Sequence, residues 1–392
     1  MKKICFFTNS MFKLGGEQRI TTEIANGLTN LGYDVTILIK QKEHIDLNLY
    51  GLSNKIHISF LDVNYDFRLN NIAFFEKLRS INRKTGIFKH CPRIIRHFFC
   101  SNKIIKQLKT FFSNNDFDFV IGVAGDRSFI LSLLKPIING KIIFWNHQSV
   151  DAHFKKEKTR YSNENSFIEP LFKNFHEIIV LTNSDKEKLE NYYNIKCRVI
   201  PNCKSFETNT KSTLNHNRFL AVGRLVSQKG FDYLLEAMYL FSKKNKNWNL
   251  DIYGEGENYK SLLNTIKHYH LENRVEIHPP TKKMLEVYLN HDIFLISSRY
   301  EGFGLVTLEA MECGLPVIGF DIPANKELIT NGNNGFLVSC YNVLEYAKTM
   351  EMIVNNQELI KKTSNQLNKS IEKFSRKTII LQWHKMLNES KR

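Results

Sequence analysis

The stretch 292–321 narrows the possible folds more than any other part of the chain. Asp292-Ile-Phe-Leu-Ile-Ser297 is an unbroken apolar run. A strand buried on both faces reads this way, whereas a strand with one wet face alternates polar and apolar residues. A glycine-bearing turn follows, Glu301-Gly302-Phe303-Gly304, and Leu305 to Cys313 then reads as a short helix. Gly314-Leu-Pro316 stops that helix, and Val317 to Phe320 is a second apolar run. Two doubly buried strands joined by one helix are a parallel crossover unit, and parallel sheets need helices on both faces. A chain with this segment is α/β.

The same punctuation recurs at the start of each half. Lys3 to Thr8 is a short apolar strand, and the loop Asn9 to Gly16 ends in Gly15-Gly16. Ile20, Ile24, Ala25 and Leu28 then recur at helical spacing, and Gly32 separates them from a second strand, Val35 to Ile39. Strand, glycine turn, helix and strand make a mononucleotide-binding unit. Further strands are expected at Ile56–Leu61, Asp118–Val123, Lys141–Trp145, Ile178–Leu181 and Val199-Ile200, with helices across 67–112.

A polar stretch rich in Ser, Thr, Asn and Lys interrupts the pattern before Asn217. A fresh α/β series then begins with the strand Phe219–Val222, the loop 223–230 and the helix Phe231–Ser242, and continues through strands at Leu250–Tyr253, Val275–His278 and Gly335–Val338. At 392 residues the chain is long enough for two domains with separate cores. The expected plan is two doubly wound, Rossmann-like parallel-sheet domains facing across a cleft. Residues 1–205 form the first, 206–217 the linker, 218–372 the second, and 373–392 a C-terminal helix returning to the first.

Composition excludes several classes. Apolar content of 42% and charged content of 24% are those of a globular protein. No apolar run approaches the about 20 residues of a spanning helix, and the apolar part of Met-Lys-Lys-Ile-Cys-Phe-Phe is too short for a signal peptide. The seven cysteines are scattered, odd in number and without Cys-x-x-Cys spacing, which fits a reducing cytoplasm rather than a disulfide framework. The net charge of +16 is uneven: residues 1–205 hold 31 Lys/Arg against 19 Asp/Glu. The segment 68–109 is the most basic, with Phe74, Phe75, Phe88, Phe98 and Phe99 threaded through it and Phe111 and Phe112 just past it. A basic, aromatic surface suits an anionic membrane face. No nucleic-acid module is visible, so nucleic acid is not an expected partner.

The site chemistry follows from residue type at strand ends. Glu301 and Glu309 are two carboxylates flanking a helix start, each able to accept two sugar hydroxyls. Backbone N–H groups around Gly302, Phe303, Gly304 and Leu305 suit a phosphate or hydroxyl oxygen. Arg224 and Lys229 lie five apart in a glycine-bounded loop and supply fixed positive charge for a diphosphate. His147 directly follows an expected strand. Asp116-Phe-Asp118 resembles a metal-binding string, but it enters its strand at the N-terminal end, opposite the ligand-binding ends of a parallel sheet.

Glu301 and Glu309 with Gly302-Phe303-Gly304 between them, together with Gly223-Arg224-Leu225 and Lys229-Gly230, resemble the signature of the retaining glycosyltransferases of family 4. The resemblance covers nearly the whole chain and is strongest from Phe219 to Val338. It implies the two-domain GT-B architecture and glycosyl transfer from a nucleotide sugar, a UDP-sugar above all, with retention. It implies that Arg224 and Lys229 hold the diphosphate, Glu301 the hexose and Glu309 the ribose, with Gly15 and Gly16 approaching the diphosphate. His147 would line the donor–acceptor junction, Asn202 the cleft, and Gly254-Glu255-Gly256 would border the base.

Pro279-Pro280-Thr281 and Ile322-Pro323-Ala324 depart from the family's glycine-bearing turns. No metal or other cofactor is expected. The implied acceptor is a polyprenyl-diphosphate-linked saccharide at the inner face of the cytoplasmic membrane, in surface-polysaccharide assembly. A nucleotide-sugar epimerase of the same architecture, a phosphorylase and a non-catalytic partner subunit are the alternatives.

Overall fold

The apolar runs become strands, every one paired in parallel. The structure, a computed structural model, describes residues 1–61, 72–154, 161 and 163–389. The chain divides into two units: unit 1 is Met1–Cys203 with Arg376–Arg392, and unit 2 is Lys204–Ser375.

Unit 1 is built on seven strands: β1 (Lys3–Thr8), β2 (Asp34–Ile39), β3 (His57–Phe60), β4 (Phe119–Val123), β5 (Lys141–Trp145), β6 (Glu177–Val180) and β7 (Arg198–Val199). Their order is β3-β2-β1-β4-β5-β6-β7. In β1, Ile4 pairs with Val35 on one side and Phe119 on the other. After its first residue β1 is buried throughout, as a central parallel strand must be. Strand order reverses between β1 and β4, which makes their carboxyl ends the switch point where ligands bind in such sheets.

Unit 2 has six strands: β8 (Arg218–Val222), β9 (Asn249–Tyr253), β10 (Val275–His278), β11 (Ile293–Ile296), β12 (Val317–Phe320) and β13 (Gly335–Val338). Their order is β10-β9-β8-β11-β12-β13, so the switch point lies between β8 and β11. The opening stretch 292–321 is thus β11, the helix Leu305–Glu312 and β12, at the centre of this sheet.

Residues 206–217, expected as a linker, are tied to unit 2. Thr208 N–H donates to Glu312 Oε1 at 2.8 Å, Ser212 N–H to the Cys313 carbonyl at 2.9 Å and His216 N–H to Asp292 Oδ2 at 2.9 Å. The chain returns to unit 1 as the helix Arg376–Glu389. Trp383 of this helix is buried, with its ring 4.8 Å from Trp145. A Cβ on Gly27 would stand 2.2 Å from Ile380 Cδ1, so glycine there lets the first helix, Gly16–Asn30, approach the last.

The aromatic surface expected of 68–109 is not formed. Residues 68–71 lie outside the described residues. The rest supplies the helices Ile72–Thr85, Pro92–Phe99 and Asn102–Asn114. Phe98, Phe99 and Phe112 are core residues of unit 1, and Phe75, Phe88 and Phe111 pack partly buried against that core. Among the named rings only Phe74 is exposed, at 57%. Helical periodicity sorts the phenylalanines inward and leaves Lys77, Lys84, Lys89, Arg93, Lys103 and Lys106 outside.

Candidate active site

In unit 2 the loops that leave β8 and β11 are clamped together at the switch point. After β8 the chain runs through Gly223 and Arg224, makes a 3₁₀ turn at Ser227–Lys229, and enters the helix Phe231–Ser242 through Gly230. Gly230 has φ +63°, and a Cβ there would stand 2.1 Å from the Ser297 carbonyl oxygen of the β11 loop. Arg299 N–H donates to the Gln228 carbonyl at 2.8 Å, Gln228 Nε2 to the Tyr300 carbonyl at 3.0 Å, and Ser297 Oγ to the Lys229 carbonyl at 3.0 Å. The Arg299 guanidinium pairs with Asp232 at 2.6 Å and lies over the Tyr233 ring.

This clamp brings together two of the expected site residues. Lys229 Nζ is 2.5 Å from Glu301 Oε1, and Ser298 Oγ donates to the same oxygen at 2.6 Å. The two charged side chains are only 13% and 8% exposed. Arg224 stands exposed at the opening of the same loop. An ammonium, a guanidinium and a carboxylate at parallel-strand carboxyl ends can bind a phosphate and a hydroxyl side by side.

Glu309 sits inside the helix Leu305–Glu312, whose N-cap Gly304 has φ +94°. It is 7% exposed, and Tyr288 Oη, fully buried, donates to its Oε2 at 2.9 Å. Tyr288 and Ser298 therefore support the two carboxylates, yet neither was singled out in the sequence. Tyr288 lies on another helix, Met284–Leu289, and no local motif marks it. Ser298, three residues from Glu301, was legible by proximity.

The Phe303 ring is 3% exposed and packs edge-on against Phe374 at 5.5 Å. It anchors the turn, so only its backbone is available to a ligand. Its neighbours Gly302 and Leu305 line the same turn, and the first turn of the helix leaves its leading N–H groups without intrahelical partners. The glycines of Gly254-Glu255-Gly256 have a packing reason. A Cβ on Gly254 would stand 1.9 Å from the Gly223 carbonyl oxygen, and Leu225 N–H donates to the Glu255 carbonyl at 2.7 Å. The Glu255 side chain is exposed.

In unit 1 the expected site residues also lie beyond strand carboxyl ends. Gly15 caps the helix that Gly16 begins, and its N–H donates to Tyr50 Oη at 2.7 Å. The preceding loop is fixed by Glu43, which accepts from Ser10 Oγ at 2.6 Å and from Met11 N–H at 2.5 Å. His147 follows β5 with its ring 4.2 Å from Trp145. Burial, and then the nearby Arg127 charge, push its pKa down to about 3, so the ring is neutral at neutral pH. Its Nε2 is buried without a hydrogen-bond partner among the described residues, as is Asn202 Oδ1 beyond β7. An unpaired buried polar atom leaves a hydrogen-bonding position that a water or a ligand can fill. Asp118 accepts from Lys3 N–H at 2.7 Å and Asp116 from Asn139 Nδ2 at 3.1 Å, so the Asp-x-Asp string holds loops at the opposite end of the sheet.

Residues 14–203 match the family described as Glycosyltransferase Family 4, and residues 205–373 match Glycosyl transferases group 1. An uncharacterized glycosyltransferase of Haemophilus influenzae is 29% identical over 398 residues, covering 99% of this chain and all of that protein. The amylovoran biosynthesis glycosyltransferase AmsD of Erwinia amylovora is 26% identical over 401 residues, with 99% and 100% covered. A crystal structure of a mutant S. aureus TarM in complex with fondaparinux, alpha-GlcNAc-glycerol and UDP has a TM-score of 0.78 at 16% identity, covering 99% of this chain and 100% of that one. Its likeness concerns the fold, two Rossmann-like domains of GT-B type. With the two family matches running in succession along both units, the chain belongs to glycosyltransferase family 4.

Proposed function

We propose that this chain moves a hexose or N-acetylhexosamine from a UDP-sugar to a hydroxyl of a lipid-linked saccharide in surface-polysaccharide assembly, with retention at the anomeric carbon. The observation that carries the reading is the Lys229–Glu301 pair at the switch point of unit 2, with Arg224 exposed beside it. The hard step is departure of a nucleoside diphosphate on which negative charge grows. Lys229, Arg224 and the leading N–H groups of the helix Leu305–Glu312 would hold that charge without reorganising. Glu301 would accept hexose hydroxyls and Glu309 the ribose hydroxyls. Arg224 and Lys229 would take the electrostatic role of a divalent cation, so the reaction is proposed to run without a metal. The neutral His147 would orient the acceptor hydroxyl by hydrogen bonding.

UDP in the complex of the TarM neighbour supports the choice of nucleotide, and the amylovoran role of the AmsD relative supports the pathway class. A peripheral position on the inner face of the cytoplasmic membrane is proposed from unit 1. There Phe74, Ile81 and Ile87 are exposed among Lys77, Lys84, Lys89 and Arg93. No described helix is long and apolar enough to cross a membrane.

The test is nucleoside diphosphate release from UDP-, GDP-, ADP- and dTDP-sugars, with and without EDTA. Release from UDP-sugars that survives EDTA supports the reading. Release from none of them, or only with added divalent metal, overturns it.

A further inference from the structure

Unit 1 carries a cavity of about 450 Å³ that the donor chemistry does not use. It opens where the carboxyl ends of β1, β2 and β4 meet. Asn9 follows β1, Lys40 follows β2, and Asp126 and Arg127 follow β4. This is the switch point of the seven-stranded sheet. Arg79 and Arg83, one helical turn apart on Ile72–Thr85, complete its polar wall.

The wall holds four cations and one carboxylate. Arg79 is the fixed part. It is 5% exposed, bonded twice by Glu164 at 2.7 and 2.8 Å and twice by Asp126 at 3.3 and 3.4 Å, and stacked 4.4 Å over Phe99. Arg127 is oriented from behind: its Nε donates to the Val123 carbonyl at 2.6 Å and one terminal nitrogen to Glu17 at 2.7 Å. Lys40 has no carboxylate partner among the described residues. The helix Gly125–Leu133 begins at this wall behind Ala124, a non-glycine residue at φ +67°. Strain of that kind persists where surrounding structure holds it, and functional turns are where it collects. The Arg127 charge also adds, after burial, to the lowering of the His147 pKa.

We propose that this cavity binds a phosphoryl group of the acceptor, a diphosphate or phosphate ester held by Lys40, Arg83 and Arg127, so that acceptor charge as well as sugar is read. The proposal rests on the glycosyl-transfer reading and narrows its acceptor to a phosphorylated one. Guanidinium forks and an ammonium over a helix N-terminus are the donor set that phosphate oxygens prefer. Arg79, neutralised by its two carboxylates, shapes the wall.

The test is calorimetric titration of the full chain with inorganic pyrophosphate in the presence of saturating UDP, which occupies the donor cradle. Lys40→Gln and Arg83→Gln are each expected to weaken pyrophosphate about tenfold, the loss of one charged hydrogen bond. Arg83→Lys should recover part of the loss, and Lys103→Gln, at an exposed lysine outside the cavity, should leave pyrophosphate unchanged. Pyrophosphate binding that ignores Lys40→Gln and Arg83→Gln but falls with Arg224→Gln overturns the proposal. If UDP itself fails to bind, the donor reading fails, and the contrast between Lys40→Gln and Arg224→Gln without UDP still locates the anion. Farnesyl diphosphate binding tighter than pyrophosphate, with the same sensitivity, assigns the group to a lipid-linked acceptor. Equal binding assigns it to a soluble phosphorylated one.

Discussion

Removing Lys229 alone should cost both stability and activity, and the two losses separate in a double mutant. Lys229 Nζ and Glu301 Oε1 are 2.5 Å apart with side chains 13% and 8% exposed, so each charge is largely withdrawn from water. Lys229→Met leaves the Glu301 carboxylate with the Ser298 hydroxyl as its one side-chain partner among the described residues. Stranding a buried charge costs about 3–5 kcal/mol, and the retained serine places this case at the lower end, about 3 kcal/mol. Loss of one preplaced charge stabiliser should lower kcat about 10²–10³-fold. Adding Glu301→Gln removes the stranded charge, so Lys229→Met/Glu301→Gln should recover most of the stability, with a coupling energy of about 2 kcal/mol. Activity should not recover, because both charges proposed to hold the donor are gone. Urea unfolding and nucleoside diphosphate release measure the two effects. A double mutant as active as wild type would show that the pair is structural only. A single mutant within about 0.5 kcal/mol of wild type would show that the pair is solvated, as ordinary surface substitutions are.

Three further outcomes follow from the same structure. Gly230→Ala should destabilise by more than the about 1–2 kcal/mol of a left-handed alanine, because its Cβ also meets the Ser297 carbonyl at 2.1 Å. Gly332→Ala, at φ +76° with nothing within 4 Å, should show the backbone cost alone, and equal losses for the two would refute the clash. Trp383→Ala should cost about 3–5 kcal/mol in urea unfolding, since the ring is 1% exposed and lies against Trp145. An unchanged midpoint would contradict the docking of the last helix on unit 1. His147, with a pKa near 3 when folded, binds a proton between that value and about 6.5 only when unfolded. Its contribution to stability is therefore complete above about pH 6.5 and is lost as pH falls through that window. His147→Asn should flatten the dependence between pH 4 and 7, and identical slopes would refute the buried neutral ring.

The strands were legible because doubly buried parallel strands write themselves as unbroken apolar runs. β11, β12 and β13 lie within a residue or so of where their sequences place them. The glycines at 230 and 304 were legible because only glycine takes those turns without strain. What local patterns left out were partnerships across the chain. The Lys229–Glu301 pair spans 72 residues, Tyr288 supports Glu309 from another helix, and Arg79 is locked by Glu164 and Asp126. Periodicity says which face is buried but not which buried groups meet. The same gap explains the packing of Phe303 against Phe374 and the phenylalanines of 74–112. Those rings were counted by composition when their helical spacing turned most of them inward.

The central claim is that the switch point of unit 2 is a nucleotide-sugar cradle. Thermal unfolding of wild type, Glu301→Ala and Arg224→Ala with each nucleotide sugar tests it most directly. One UDP-sugar should raise the midpoint of the wild type, and both variants should lose most of that response. No response from the wild type, or responses in the variants equal to it, would contradict the cradle.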